Sequence, residues 1–67
     1  MKKEFIYKKD GYIFEYNANH GHINVDGEFS GECYDCIDVG LDFINADYQT
    51  FISKCDDWII DSILRRF

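Results

Sequence analysis

The sequence predicts an α+β domain: a three-stranded antiparallel sheet followed by two helices packed on one of its faces (βββαα). Three observations predict it. Asp10-Gly11 separates two short apolar runs, a second turn signal follows at Asn19-His20-Gly21, and the last third of the chain places apolar residues at helical spacing. The 67 residues are read as one domain, 1–67. A chain this short buries only about 60% of the surface its unfolded form exposes. Its 6 Phe, 5 Tyr and 1 Trp help offset that, because each buries a large area.

Residues 4–8 and 12–18 flank Asp10-Gly11, the dipeptide a type I′ hairpin turn favours. The register follows: Lys9 faces Tyr12, Tyr7 faces Phe14 and Phe5 faces Tyr16. Opposed residues share a face, so one side carries Phe5, Tyr7, Tyr12, Phe14 and Tyr16, and the other Ile6, Lys8, Ile13 and Glu15. A loop at His20-Gly21 sets Ala18 against Ile23, Tyr16 against Val25 and Phe14 against Gly27. The aromatic face then continues through Ile23 and Val25. The same register opposes Glu15 and Asp26, a like-charge pair.

Ser30 is the expected N-cap of a helix over residues 31–45. On it, Cys33, Cys36, Ile37, Gly40, Leu41 and Ile44 face the core. Asp35, Asp38, Asp42 and Asn45 fall in an opposite sector about 80° wide. A second reading stays open: Ile37, Val39, Leu41 and Phe43 alternate strictly with Asp38, Gly40 and Asp42, as in a half-buried strand. Residues 36–43 would then be a fourth strand and the fold ββββα. Asp47 is the expected N-cap of a final helix, 48–66. Its stripe is Tyr48, Phe51, Ile52, Cys55, Trp58, Ile59 and Ile63, and Arg65 and Arg66 in its last turn favour the helix dipole. At about 28 Å it is long enough to cross the sheet. The expected core is Phe5, Tyr7, Phe14, Tyr16, Val25, Ile37, Leu41, Ile44, Phe51, Ile52, Cys55, Ile59 and Ile63.

The net charge is −6, and it is unevenly placed. Residues 1–10 carry Lys2, Lys3, Lys8 and Lys9 against Glu4 and Asp10, which is 4 − 2 = +2. Residues 26–61 carry ten Asp and Glu against Lys54 alone, which is 1 − 10 = −9. Such a surface repels nucleic acid, so no direct nucleic-acid partner is expected, and basic protein surfaces are the better match. No apolar h-region follows Met1-Lys2-Lys3, and no apolar run approaches the roughly 18 residues of a membrane span. With 3 Cys, an odd number, the expectation is a cytoplasmic protein with free thiols and no membrane partner.

Few residues point to chemistry. Cys33-Tyr34-Asp35-Cys36 is a C-x-x-C, and with His20 and His22 it would supply four zinc ligands. The blander account makes the two Cys small buried hydrophobes and the two His solvated loop residues. Glu15, Asp26 and Glu28 would cluster on the open sheet face, but no motif accompanies them. No enzyme activity, catalytic residue or cofactor is expected. The acidic stripe is the functional candidate: Glu32, Asp35, Asp38 and Asp42, extended by Asp26 and Glu28. On a helix its axial steps of about 4.5 and 6 Å are of the order of phosphate spacings. In length, acidity and lack of motif the chain resembles the small inhibitors encoded by phages and mobile elements, many of which mimic DNA. That resemblance is one of gross properties. It implies a protein-binding module that docks on a basic, nucleic-acid-binding protein surface. The alternative is a zinc-stapled or self-associating structural domain, a homodimer pairing strand 4–8 or an uncovered sheet face. Tyr12, Tyr34 and Phe67 are candidate exposed aromatic anchors.

Overall fold

A computed structural model describes residues 4–17 and 21–65. The elements are β1 (Glu4–Lys9), β2 (Tyr12–Asn17), β3 (His22–Gly27), β4 (Cys33–Asp38), a 3-10 turn (Leu41–Asn45) and one helix, α1 (Tyr48–Arg65). The strands form an antiparallel meander in the order β1-β2-β3-β4. The architecture is α+β, with four strands and one helix.

The first hairpin has the expected register, with Phe5 opposite Tyr16, Tyr7 opposite Phe14 and Lys9 opposite Tyr12. Asp10 and Gly11 take φ of 54° and 84°, the positive pair a type I′ turn requires. The second register is offset by two residues from the expected one. Tyr16 faces Ile23, Phe14 faces Val25 and Tyr12 faces Gly27. The expected partner Ala18 and the turn residues Asn19 and His20 lie outside the described residues. Four residues, 18–21, join the strands, so a two-residue loop misplaces the pairing. A shift of two conserves the face, and Ile23 and Val25 still line the aromatic side. It also separates the like charges: Glu15 faces Asn24, and Asp26 faces Ile13.

The helix expected over 31–45 is absent. Residues 33–38 are the fourth strand, in place of 36–43 in the ββββα reading, and residues 41–45 are a 3-10 turn. Gly40 sits at φ 77°, which ends any regular element there. Ser30 caps no helix. Its Oγ accepts from the Glu32 N–H at 3.3 Å within the β3–β4 turn. β4 also carries a bulge. Val25 faces Asp35 but Asp26 faces Cys33, which leaves Tyr34 as the extra residue. The bulge therefore puts Tyr34 and Asp35 together on the aromatic side.

The helix forms as expected, and Asp47 caps it, with its carboxylate accepting from the Thr50 N–H at 2.9 Å. It runs beside β1 and buries Phe51, Cys55 and Ile59 on the aromatic face. Phe5 packs on Phe51 at 5.3 Å between ring centroids, and Trp58 reaches across to Phe14 at 5.8 Å. Phe43, from the 3-10 turn, meets Tyr16 edge to face at 4.9 Å and closes the other end. The buried core is Phe14, Tyr16, Ile23, Val25, Phe43, Phe51, Cys55 and Ile59. Leu41, Ile44 and Ile63, expected in the core, are exposed. The first two lose their burial with the missing helix. The helix carries Ile63 to the margin of the sheet, where Asp10 and Tyr12 are its neighbours.

Gly27 is where the bulge needs a missing side chain. A Cβ there would collide with Ser30 Oγ and press on the Tyr34 ring at 3.0 Å. Gly27→Ala is expected to displace Tyr34 and cost about 1–3 kcal/mol. An unchanged urea midpoint would overturn that reading. Burial pushes the Cys55 thiol up to about 12, whereas Cys33 and Cys36 are exposed. At pH 8, a thiol reagent is expected to modify Cys33 and Cys36 in the native protein and Cys55 only after denaturant is added. Mass spectrometry of the labelled peptides checks the order.

Candidate protein-docking surface

The six acidic candidates do not form one stripe. Strand parity sends Asp26 and Asp38 to the face opposite α1, where Glu15 also lies. Glu28 and Glu32 belong to the β3–β4 turn, and Asp42 to the 3-10 turn. Asp35 faces the other way, toward α1. The helical steps that matched phosphate spacings do not exist. What remains is a long segment without a basic side chain. Residues 10–53 contain Asp10, Glu15, Asp26, Glu28, Glu32, Asp35, Asp38, Asp42 and Asp47, and no Lys or Arg.

Of the described cations, Lys8 stands on the open face, in the row with Ile13 and Asp26. It belongs to the edge strand β1, and Lys54 is on α1. Lys9 pairs with Asp56 at 3.1 Å, and Arg65 with Asp61 at 2.9 Å. Tyr7 donates to the same Asp56 carboxylate at 3.2 Å, so two β1 side chains tie α1 down on one carboxylate. The Asp56 charge raises the Lys9 pKa. Desolvation first, and the Asp56 carboxylate second, raise that of Tyr7. Across the open face the rows read Ile6, Glu15, Asn24, Cys36 and then Lys8, Ile13, Asp26, Cys33. Carboxylates alternate with neutral residues in these rows and never oppose each other directly, which limits their mutual repulsion.

Cys33 and Cys36 both stand on this open face, and not on a buried helix face. Cys36 donates weakly to the Asn24 side chain at 3.6 Å. Desolvation, Asp26 and the neighbouring Cys36 raise the Cys33 pKa. That is the wrong direction for a reactive thiolate. His22 lies beside Asp38 on the same face, while His20 lies outside the described residues. Among the described residues, no three of His, Cys, Asp and Glu come together in a group that could hold a metal ion. No described helix is long and apolar enough to cross a membrane.

Periodicity gave no sign of an aromatic groove at the end of α1. Tyr12, Tyr34, Trp58 and Ser62 line an open groove of about 320 Å³ on the α1 side. Tyr12 meets Tyr34 edge to face at 5.7 Å and Trp58 edge to face at 5.1 Å. The Trp58 indole N–H donates to Asp35 Oδ2 at 2.8 Å, and Asp35 Oδ1 accepts from the Cys36 N–H at 2.8 Å. Of the expected exposed anchors Tyr12, Tyr34 and Phe67, the last lies outside the described residues. Tyr34 is 51% exposed, whereas Tyr12 is half-buried against Trp58. Gly27 stands opposite Tyr12 and leaves a gap in the aromatic face, a pairing that the expected register, with Gly27 opposite Phe14, did not show.

The Trp58 and Cys36 N–H groups hold the Asp35 carboxyl below the usual carboxylate range. A lowered pKa in the fold gives a stabilisation that is present above the ordinary aspartate pKa and lost as pH falls through the lowered value. Because Trp58 is the single Trp, its emission reports this contact directly. Its acid transition is expected below the ordinary aspartate midpoint and to vanish in Asp35→Asn. The same transition persisting in that variant would assign it to another group.

Comparison with protein-family models, with curated proteins and with solved structures found no match to this chain.

Proposed function

We propose that the protein is an acidic protein-binding module that docks on a basic protein surface of the kind that holds nucleic acid. The observation that carries this reading is the continuous run from residue 10 to 53 without a Lys or Arg, folded into three strands and the turns around them. The docking side consists of Asp26 and Asp38 on the open face, Glu28 and Glu32 in the β3–β4 turn, and Asp42 beyond β4. Asp35 extends the negative field around the edge strand. A surface of this sign steers a cationic partner and raises its on-rate. Competing for a nucleic-acid groove would make the module an inhibitor, the role suggested by its likeness in size and acidity to phage and mobile-element inhibitors. No catalytic role is proposed. On the open face the Cys33 thiol stands beside Asp26, and its raised pKa works against a thiolate nucleophile there.

A second reading, self-association, is favoured by Ile60, Ile63 and Leu64, exposed at one-turn spacing near the C-terminal end of α1. A monomer mass by light scattering at high protein concentration would remove it.

The first reading predicts that the immobilised protein retains basic proteins from an extract of the organism that encodes it, and releases them as salt rises toward about 0.5 M. The triple variant D26K/E28K/D38K is expected to retain none of them while keeping the circular dichroism spectrum of the parent. Retention of the same proteins by that variant at low salt would rule the reading out.

A further inference from the structure

We infer that the groove between Tyr12, Tyr34 and Trp58 is a binding site for a methylated ammonium group. Three aromatic side chains converge there from three elements: Tyr12 from β2, Tyr34 from the β4 bulge and Trp58 from α1. Interplanar angles of 79° and 80° make Tyr34 and Trp58 walls that stand nearly perpendicular to Tyr12. Such a corner presents ring faces and edges on several sides of a rounded guest. A flat guanidinium stacks better in a parallel slot, so the shape favours a tetrahedral cation.

The polar groups select the same chemistry. The carboxylate nearest the rings, Asp35, is engaged by the Trp58 N–H and the Cys36 N–H, each at 2.8 Å. Its charge adds to the negative potential around the indole, and each of its oxygens already accepts one N–H, which weakens it as a direct ion-pair partner. The other ionic neighbours, Asp61 and Arg65, pair with each other at 2.9 Å and border the adjoining groove. Among the described residues of the lining, the polar side-chain groups are the Ser62 and tyrosine hydroxyls and the Trp58 N–H, which is already given to Asp35. A bare ammonium is strongly hydrated and would lose more water contacts than these replace. A methylated ammonium is weakly hydrated and keeps its charge, the match that aromatic cages exploit. The bulge and Gly27 build this site, since a Cβ at residue 27 would occupy the space Tyr34 needs.

The single Trp makes the test direct. Trp58 emission is followed during titration with choline, with N-acetyl-trimethyllysine amide, and with 3,3-dimethylbutanol, the neutral isostere of choline, all at constant ionic strength. Saturable quenching by a cation, at least about tenfold tighter than any response to the alcohol, is expected from cation–π attraction. The tighter of the two cations identifies the source as a small molecule or a modified lysine side chain. Tyr34→Leu keeps apolar bulk and removes the ring face. It is expected to lose the response while keeping the parent melting temperature within a few degrees. An equal response to the alcohol, no response to either cation, or an unaltered response in the Tyr34→Leu variant would overturn the proposal.

Discussion

One dry sheet face holds this structure together, and the Asp10–Gly11 turn decides which face that is. With φ of 54° and 84°, the turn locks β1 to β2 so that Phe5, Tyr7, Phe14 and Tyr16 share a side. Every later element answers to that side. Ile23 and Val25 extend it, Phe43 closes one end, and α1 lays Phe51, Cys55 and Ile59 across it. The eight buried residues are apolar or aromatic, and no charged side chain is buried among the described residues. Among the described residues a single helix covers a single face, and the opposite face carries mostly polar residues beside Ile6 and Ile13. The exposure of Asp26 and Asp38 on the open face and the hydrophobic core thus follow from the same strand parity.

Legibility in the sequence followed how local the determinant was. The Asp-Gly turn fixed a register from two residues, and the final helix was plain from its stripe and its Asp47 cap. The second hairpin kept its face but slipped by two residues, because four residues rather than two join β2 to β3. The segment 31–45 misled for a specific reason. A bulge inserts Tyr34 into an alternating strand, and Gly40 then bends the chain into a 3-10 turn. An alternation interrupted by one extra residue imitates the spacing of a helix. Asp35 and Asp38, read as neighbours on a helix, stand on opposite sides of the sheet. The 37–39 alternation and the glycines at 31 and 40 were the local signals for the observed course. The aromatic groove was illegible because its walls lie far apart in sequence and depend on that bulge.

As proposed, the two candidate surfaces would divide the work between long-range and short-range recognition. The acidic side would act through a field, graded and sensitive to salt. The groove would act through contact, where Trp58 and Tyr34 would select by shape and polarisability. Asp35 belongs to both: it adds to the acidic field and holds the Trp58 indole by its N–H.

The meander has a consequence for the order in which the molecule assembles. Each strand pairs with its neighbour in sequence, so the hairpins close short loops and form early. The helix is the last element in the chain and docks on β1, the first. Until α1 is available, the sheet presents Phe5, Tyr7, Phe14 and Tyr16 to water without a cover. A chain shortened before α1 would therefore expose its most adhesive surface, and the segment that covers it is the one that brings Phe51, Cys55 and Ile59.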